Sequence, residues 1–473
     1  MTEPLALLPL AAAARGGRLG GHEAAQLVAA GFELLRRCPP LVRALSGRRA
    51  AILLPTSPAF LTALAASDGR GAVLLNPLAS PSEILHQLTD ARVGAAFTHA
   101  ALAAKLPPIL PRVLLDDSPR TARWLGDGRT RDVDLGSHFG FPLEGADDAP
   151  GRDEEAAIVY TSAMAGTPLG AILTHRGLLA NARATVVSTE LSREDRTLAV
   201  LPLSHLFGLT VTCVAPLLAG GDVLPTDRFN PLRAAEQLGA GEVTALIGVP
   251  AVFAAVLAGL GRRGAGSGAL RLSICGGAPL APELQSRWAD TTGVELRQGY
   301  GLTEAGPVCL FNRVQLPNRH GTLGMPLPGV EISIRDPGSS AALPVGAVGE
   351  ICVAGENVFA GYVSGGEHGL QTRGRWLHTG DQGAADADGT VTFRGVLKAM
   401  FTRNGFNIYP REIERAVEMM PGVVRARASA LPNLARENDV RLDVDGAVTM
   451  EDVRAWCAER LSAYKQPADV RVL

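Results

Sequence analysis

The chain has 473 residues, of which 47% are hydrophobic and 19% are charged, and its formal net charge is −2. That length exceeds what one hydrophobic core usually serves, so we expect two or more domains, and the composition excludes a disordered or fibrous protein. The near-neutral charge indicates no basic face for nucleic acid, and we expect no nucleic-acid partner.

The termini and apolar stretches do not indicate a membrane protein. Segment 1–14 is apolar but carries Glu3 and no early basic residue, which makes a poor secretory signal, so we expect a helix start or a loose tail. Segment 209–218 is shorter than the roughly 20 residues that span a bilayer. The six cysteines lack CxxC spacing, which indicates neither a zinc site nor a disulfide framework. We therefore expect a cytoplasmic protein without a membrane partner.

The first half of the chain alternates short apolar runs with helical segments. Strands are predicted at 50–54, 71–75, 243–249 and 270–275, and helices at 58–66, 81–90 and up to residue 260. Strands that alternate with helices predict a parallel sheet covered on both faces. Residues 116–155 are rich in Asp, Gly, Arg and Pro, and we expect surface loops there.

After about residue 325 the pattern changes to short strands separated by Gly and Pro turns, followed by a small unit of mixed composition. Strands are predicted at 331–334, 349–353 and 391–393, a hairpin turn at 386–389, and helices at 413–420 and 450–462. We expect an α/β fold. It has a large N-terminal domain (residues 1–395) of mixed and parallel sheets flanked by helices, with a β-rich subdomain. A small α+β C-terminal domain (residues 396–473) follows.

Several short segments carry the predicted chemistry. They are Cys275-Gly-Gly-Ala-Pro-Leu280, Gln298-Gly-Tyr-Gly-Leu-Thr-Glu304, Thr379-Gly-Asp381 and Asn404-Gly-Phe-Asn-Ile-Tyr-Pro410. A carboxylate beside a hydroxyl on a loop after a strand can hold a hydrated metal ion and a phosphate oxygen. Paired glycines after a strand let a flat ligand ring lie against bare backbone. In order and spacing these segments resemble the adenylate-forming superfamily, which contains acyl-CoA synthetases, peptide-synthetase adenylation domains and luciferases.

The resemblance implies an enzyme that forms an acyl-AMP from a carboxylic acid and ATP and passes the acyl group to a thiol. It implies that Thr303 contacts the α-phosphate, that Tyr300 lies against adenine and that Asp381 accepts hydrogen bonds from the ribose hydroxyls. Glu304 is the implied magnesium ligand. The C-terminal domain corresponds to a rotating lid, in which Gly405 lets the pantetheine arm pass close to the backbone.

The resemblance also places an acyl pocket near His205. A neutral imidazole there can orient a carboxylate or act as acid or base, and a structural histidine is an equally good interpretation. His205, Thr303 and Glu304 are the predicted catalytic residues. The other predicted substrate-binding residues are Gly276, Gly277, Ala278, Gly299, Tyr300, Gly301 and Leu302. These small, mostly apolar residues favour a compact aryl or short acyl group over a charged amino acid.

The phosphate loop departs from the family pattern Y-T-S-G-[ST]-[ST]-G-x-P-K-G. Here it reads Tyr160-Thr-Ser-Ala-Met-Ala-Gly-Thr-Pro-Leu-Gly170. Ala163, Met164 and Ala165 replace glycine and hydroxyl residues, and Leu169 replaces the lysine. Because such a loop offers backbone N–H groups, hydroxyls and an ammonium to phosphates, this version is predicted to grip a triphosphate poorly.

The lid departs from the family in the same direction. Val396 and Ala399 stand where the family's G-R-x-K-D segment has an arginine and an acidic hinge residue. Lys465 belongs to the YKxP motif, and the family's adenylation lysine beyond that motif has no counterpart among the three lysines of this chain. Segment 430–448 is also short for the family.

These departures favour ATP-independent transfer of an acyl or aryl-acyl group from an acyl-CoA to the phosphopantetheine thiol of an acyl carrier protein. Such an enzyme uses a coenzyme A thioester, and AMP, ATP and Mg²⁺ are allowed but not required. Transfer can be direct, through acyl-AMP, or through a cysteine, for which Cys275 is the nearest candidate. Two alternatives stay open: an ATP-dependent carboxylic acid:CoA or carrier-protein ligase with an atypical phosphate site, and a non-catalytic binding or scaffold protein.

Overall fold

The computed structural model describes residues 16–67, 71–117, 120–126, 128–135, 154–161, 168–226, 228–263, 268–365, 369–397, 400–433 and 436–473. The N-terminal segment 1–14, the residues Ala163, Met164 and Ala165 of the predicted phosphate loop, and Ala399 at the predicted hinge position lie outside this range.

The first large sheet has parallel strands at its centre. Its described strands lie in the spatial order Gly361–Tyr362, Leu169–Thr174, Glu155–Thr161, Ala72–Leu74, Arg49–Leu53, Val93–Thr98, Arg112–Leu115, Thr121–Gly126 and Arg129–Asp134. The strands from Glu155–Thr161 to Arg112–Leu115 in this order are mutually parallel. Along Arg49–Leu53, Ile52 packs in one core cluster with Phe60, and Ala51 packs in another with Ile84. The sheet is thus covered on both faces, as predicted.

The second large sheet carries the glycine-rich motifs. Its described strands lie in the order Met325–Pro326, Val308–Phe311, Leu296–Gly301, Leu272–Cys275, Ala245–Gly248, Arg196–Ala199, Asp222–Pro225, Arg18–Leu19 and His22–Glu23. The strands from Leu296–Gly301 to Arg18–Leu19 in this order are parallel. Ile52 of the first sheet and Ile274 of the second belong to one core cluster, so the two sheets share a hydrophobic core.

The described helices of the large domain cover these sheets. They are Ala24–Arg37, Pro39–Leu45, Ala59–Ala66, Pro81–Asp90, His175–Thr189, Ala215–Leu218, Pro231–Gly239, Pro250–Arg263 and Pro282–Thr292, with 3-10 turns at Ala100–Lys105 and Thr303–Ala305 and a π-helix at Phe207–Val214. Helix Pro81–Asp90 begins with a capping box. The Glu83 backbone N–H donates to Ser80 Oγ (3.2 Å), and the Ser80 N–H donates to Glu83 Oε2 (2.8 Å), which satisfies donors at the helix start.

The β-rich subdomain and the lid follow in chain order. The subdomain consists of strands Val330–Arg335, Gly349–Gly355, Thr372–Arg373, Trp376–Ala385 and Val391–Val396. The lid contains the hairpin Phe401–Arg403 and Phe406–Ile408, the strands Val423–Asn433, Glu437–Gly446 and Asp469–Val472, and the helices Pro410–Glu418 and Met450–Arg460. The predicted fold class is confirmed. The division at 395/396 stays a prediction.

The expectation of surface loops throughout 116–155 is wrong for its first part. Strands Thr121–Gly126 and Arg129–Asp134 form an antiparallel hairpin. Trp124 and Val133 are buried, whereas Arg123 is exposed. Buried and exposed residues alternate along these strands, as in a strand with one face exposed to solvent. The Arg and Asp residues on the exposed face made the segment resemble a loop in sequence. Among the described residues, no helix combines the length and the hydrophobicity that a membrane span requires.

Candidate active site

A cavity of about 1690 Å³ extends from the second sheet to the lid. It gathers every residue that the sequence predicts for the site. The lining includes His205, Gly276, Gly277, Ala278, Gly299, Tyr300, Gly301, Leu302, Thr303, Glu304, Asp381 and Gly405. The structure brings these residues together, while their individual roles stay predictions.

Parallel strands explain why the glycine-rich segments meet. Strands Leu272–Cys275 and Leu296–Gly301 are neighbours and run in the same direction, so the loops at their carboxyl ends lie at one edge of the sheet. A Cβ placed on Gly276 would lie 3.2 Å from Phe207 Cζ. A side chain at this position would therefore crowd the Phe207 ring beside the cavity.

Gly301 has a different reason to be glycine. A Cβ at this position would lie 1.8 Å from the carbonyl oxygen of Pro307, closer than any real contact. Glycine is required at position 301 because the chain after the strand turns back and brings the Pro307 carbonyl against it. Its place in the motif is explained by packing, whether or not a ligand touches it.

Tyr300 and Asp381, the predicted nucleotide-binding residues, contact each other in the cavity. The Tyr300 hydroxyl donates to Asp381 Oδ2 at 2.7 Å. Burial, and then the nearby Asp381 carboxylate, raise the pKa of Tyr300 well above its usual value, so the phenol stays protonated and remains a donor. This contact joins the sheet that carries Tyr300 to the subdomain that carries Asp381.

The turn that presents Asp381 is held by buried hydrogen bonds. Glu350 accepts from the Gly380 N–H at 2.8 Å and lies 2.6 Å from His378 Nδ1. Cys352 Sγ lies 3.5 Å from the same ring nitrogen, and burial raises the pKa of Cys352 to about 12. These buried contacts hold the turn in the position that presents Asp381 to the cavity.

Glu304 is the predicted metal ligand, and two hydroxyls hold it. Thr161 Oγ1 and the Tyr362 hydroxyl each donate to Glu304 Oε1 at 2.9 Å. Tyr362 is itself fixed by the Leu370 N–H, which donates to its oxygen at 3.1 Å. Burial, and then the Glu304 carboxylate, raise the pKa of Tyr362, so it remains a donor.

Hard oxygen donors of this kind fit Mg²⁺. Glu304 is only 5% exposed, so its carboxylate is presented to the cavity rather than to bulk solvent. No local pattern in the sequence indicates Tyr362, because it lies in a two-residue strand 58 positions from Glu304.

His205 makes a structural hydrogen bond and also lines the cavity, so both roles left open by the sequence are compatible with its position. Its Nδ1 accepts a hydrogen bond from the Phe207 N–H at 3.2 Å, a structural contact that puts the proton of the neutral ring on Nε2. The ring also lines the cavity. The His205 side chain is solvent-accessible within the cavity. Desolvation by the surrounding walls lowers the pKa of His205, which favours the uncharged ring at neutral pH.

Two other predicted features bear on the chemistry. Cys275 is fully buried, and burial, with a smaller effect of Glu437, raises its pKa well above the usual value. A thiol of that kind is a poor nucleophile, which argues against transfer through Cys275. Leu169 lines the cavity opposite Thr161 in the strand pair, so a hydrocarbon side chain occupies the position of the family's lysine.

The lid closes one side of the cavity through Gly405. This residue has a left-handed φ of 77°. A Cβ on it would lie 2.8 Å from Cγ1 of Val249 in the large domain. The backbone of the lid hairpin therefore packs directly against the wall of the acyl pocket, at the position where the resemblance predicts the thiol channel.

Known proteins resemble this chain over most of its length. Residues 43–363 match the AMP-binding enzyme family. A feruloyl-CoA synthase from an Amycolatopsis species is 34% identical over 93% of this chain and 88% of its own length. A solved malonyl-CoA ligase, in a ternary product complex with methylmalonyl-CoA and AMP, is 29% identical with a TM-score of 0.79, covering 98% of this chain and 96% of its own.

An ATP-bound MatB from Rhodopseudomonas palustris is 28% identical with a TM-score of 0.68, covering 97% of this chain and 91% of its own. The family match spans well over half of the chain, and the matched segment contains His205, the glycine-rich loops and Glu304. Fold, site geometry and sequence agree: the chain belongs to the AMP-binding enzyme family and is an enzyme of the adenylate-forming superfamily.

Proposed function

We propose that this chain is an ATP-dependent carboxylic acid:CoA ligase. The observation that carries the proposal is that one cavity is lined by the residues predicted to bind the nucleotide (Tyr300 and Asp381), by the predicted Mg²⁺ ligand (Glu304) and by Gly405. The relatives support it, because the feruloyl-CoA synthase and the malonyl-CoA ligase each match more than nine tenths of the chain.

The proposed reaction has two steps in the same cavity. In the first, a carboxylate oxygen of the acid attacks the α-phosphorus of ATP, and pyrophosphate leaves as the acyl-adenylate forms. In the second, the thiol of coenzyme A attacks the acyl carbon, the C–O bond to phosphate breaks, and AMP leaves while the thiol proton passes to solvent or a base. Bound Mg²⁺ neutralises charge on the phosphates, and Glu304 is the residue that would hold it.

The protein's own groups orient the reactants. Asp381 accepts hydrogen bonds from the ribose, Tyr300 covers adenine and Thr303 contacts the α-phosphate. The neutral His205 directs an N–H toward the acyl carboxylate. Gly405 leaves room for the pantetheine arm during the second step.

The acid is proposed to be uncharged beyond its carboxylate and largely apolar. Phe207, Val211 and Phe311 line the cavity. Thr185 and Thr189 also line it, and their hydroxyls donate to carbonyls of their own helix at 2.9 and 2.7 Å. Their oxygens are therefore offered as acceptors, which favours an acid with a hydroxyl on its apolar body. The name of the feruloyl-CoA synthase relative supports an aryl acid of this kind.

ATP-independent acyl transfer is the second candidate, and Leu169 at the lysine position favours it. The ligase is better supported, since the relatives are named for acid activation. ATP, AMP and Mg²⁺ are therefore proposed ligands, which reverses the emphasis of the sequence-based expectation. The carrier-protein partner and the cytoplasmic location stay predictions.

Two assays distinguish the candidates. A ligase catalyses exchange of labelled pyrophosphate into ATP that depends on the acid, and forms a CoA thioester detected by mass. A panel of hydroxycinnamates, benzoates and fatty acids covers the proposed class. Absence of exchange and thioester across the panel, with acyl transfer from an acyl-CoA to a holo carrier protein in the absence of ATP, would replace the ligase by the transferase.

A further inference from the structure

Lys465 lies where the lid meets the large domain. Its Nζ is 2.8 Å from Glu83 Oε1 of the large domain and 2.6 Å from Glu412 Oε1 of the lid. The three side chains are 5%, 9% and 5% exposed, respectively. A buried ion pair of this kind is strongly sensitive to the loss of one partner, because the remaining charge is left without compensation.

Two more hydrogen bonds cross the same contact. The Ser462 hydroxyl donates to Glu83 Oε1 at 3.1 Å, and the Ser80 hydroxyl donates to the Arg460 carbonyl at 3.0 Å. The start of helix Pro81–Asp90 thus receives the end of helix Met450–Arg460 and the segment after it. Because Glu83 is already fixed by its capping box, the large domain presents this carboxylate in a defined position.

Each half of the contact keeps a partner when the two halves separate. Lys465 retains Glu412 within the lid. Glu83 retains the Ser80 N–H within the large domain. Rotation of the lid therefore leaves neither ionised group alone, so the contact can break and re-form at a moderate cost in free energy.

The contact is joined to the Gly405 hairpin by stacking and hydrogen bonds. Tyr464, beside Lys465, stacks on Phe406, beside Gly405, with ring centroids 4.3 Å apart and planes 18° apart. Arg403 donates to the carbonyls of Tyr464 and Gln466 at 3.1 and 2.8 Å. Fixing Lys465 on Glu83 therefore also fixes where Gly405 meets Val249.

We propose that Lys465 and Glu83 form a latch that positions the lid, with Gly405 against the acyl pocket, for the thiol step. The inference rests on the proposed function, since that function includes a second step at Gly405. Lys465 is a positioning residue in this role, acting through the hairpin rather than on the reacting atoms.

Glu83→Gln is the test variant. Glutamine at the third position of a capping box still accepts from the Ser80 N–H, so the helix start is kept while the charge facing Lys465 is removed. We expect transfer from enzyme-bound acyl-adenylate to coenzyme A to slow by about tenfold or more, because the latched population falls. Acid-dependent pyrophosphate exchange should change by less than about twofold, since it does not use this lid position.

The matched control is Arg441→Gln. Arg441 is paired with Asp469 at 2.9 Å, but both residues belong to the lid and are about a third exposed. This variant removes an ion pair of the lid without touching the domain contact, and both half-reactions should stay at the wild-type rate. Equal slowing of the two half-reactions by Glu83→Gln, or slowing of neither, would overturn the latch.

A second readout does not depend on turnover. Hydrogen–deuterium exchange at residues 401–408 should be faster in Glu83→Gln than in the wild type, while exchange in strand Val423–Asn433 should be unchanged. If the wild-type protein shows neither half-reaction, the proposed function fails and this comparison still decides the latch. Unchanged protection of residues 401–408 would then refute it.

Discussion

Tyr300 and Asp381, which lie 81 positions apart in the chain, share a 2.7 Å hydrogen bond inside the cavity. Tyr300 lies one residue before the end of a strand of the second large sheet, and Asp381 lies in a strand of the β-rich subdomain. The bond fixes the distance between the groups proposed to contact adenine and ribose. The protein itself therefore holds this proposed nucleotide-binding pair in a defined position.

Loss of this bond should weaken ATP binding. Tyr300→Phe removes the donor and keeps the ring, and a hydrogen bond to a charged group is worth about 1.5–3 kcal/mol, so we expect KM for ATP to rise by roughly tenfold. The KM for ATP is measured by steady-state pyrophosphate-exchange kinetics with ATP as the varied substrate. Asp381→Asn provides the partner variant: if the two effects simply add in the double variant, the bond does not couple the residues.

Tyr362 should matter for the metal-dependent step. Tyr362→Phe deletes the hydroxyl that donates to Glu304 Oε1, so Glu304 is held by fewer contacts. We expect the rate of acid-dependent pyrophosphate exchange to fall by about tenfold and to require a higher Mg²⁺ concentration. Loss of a residue that orients a metal ligand typically reduces metal affinity or activity by about that factor. Glu304→Gln should cost more than Tyr362→Phe in the same Mg²⁺ titration. The reverse order would show that Glu304 is not the metal ligand.

Substitution of Gly405 should separate the two half-reactions. Gly405→Ala meets both a left-handed φ and Val249 at 2.8 Å, so the hairpin must move from the pocket wall. We expect thioester formation from preformed acyl-adenylate to fall by about tenfold, with little change in pyrophosphate exchange.

Gly374→Ala is the control for the Gly405 prediction. Gly374 also has a left-handed φ, of 63°, but a Cβ there meets nothing within 4 Å. It shares the backbone strain without the contact at the pocket. If both variants slowed the thiol step equally, backbone strain rather than the Val249 contact would explain the loss.

His205 should make the protein less stable in mild acid. Its pKa is lowered in the folded state by desolvation inside the cavity, so the unfolded chain binds the proton more readily. Solvent access to the side chain keeps the effect on stability small. The associated stability is fully present above the unfolded pKa, near 6.5, and is lost as pH falls toward the lower folded value. Melting temperatures from pH 8 to pH 5 should fall less steeply for His205→Gln than for the wild type. Parallel curves would exclude this contribution.

The sequence predicted local features well where a short signal specifies them. Helix 81–90 is found at its predicted bounds, because Ser80, Pro81 and Glu83 provide a cap, a first-turn proline and a capping-box acid. The α/β class followed from alternation of strands and helices. The strand order and the shared core of the two large sheets did not, because pairing partners such as Leu74 and Val159 are far apart in the chain.

The same limit applies to the site. The cavity residues could be predicted from the sequence because each belongs to a short motif that is recognisable from neighbouring residues. Tyr362 at Glu304 and Lys465 at Glu83 were missed, because these contacts span 58 and 382 positions and no spacing rule connects them. The sequence indicates only that Lys465 belongs to the YKxP motif and is not the family's adenylation lysine. Its partners Glu83 and Glu412 are identified by the folded structure.

The double use of Glu83 has a consequence for engineering. The carboxylate that completes a helix start also receives a moving domain, so one position controls both heat tolerance and turnover. A substitution at residue 83 that strengthens the helix cap would also change the lifetime of the contact between the lid and the large domain. Thermal selection on this protein should therefore avoid residue 83, or be paired with an activity screen.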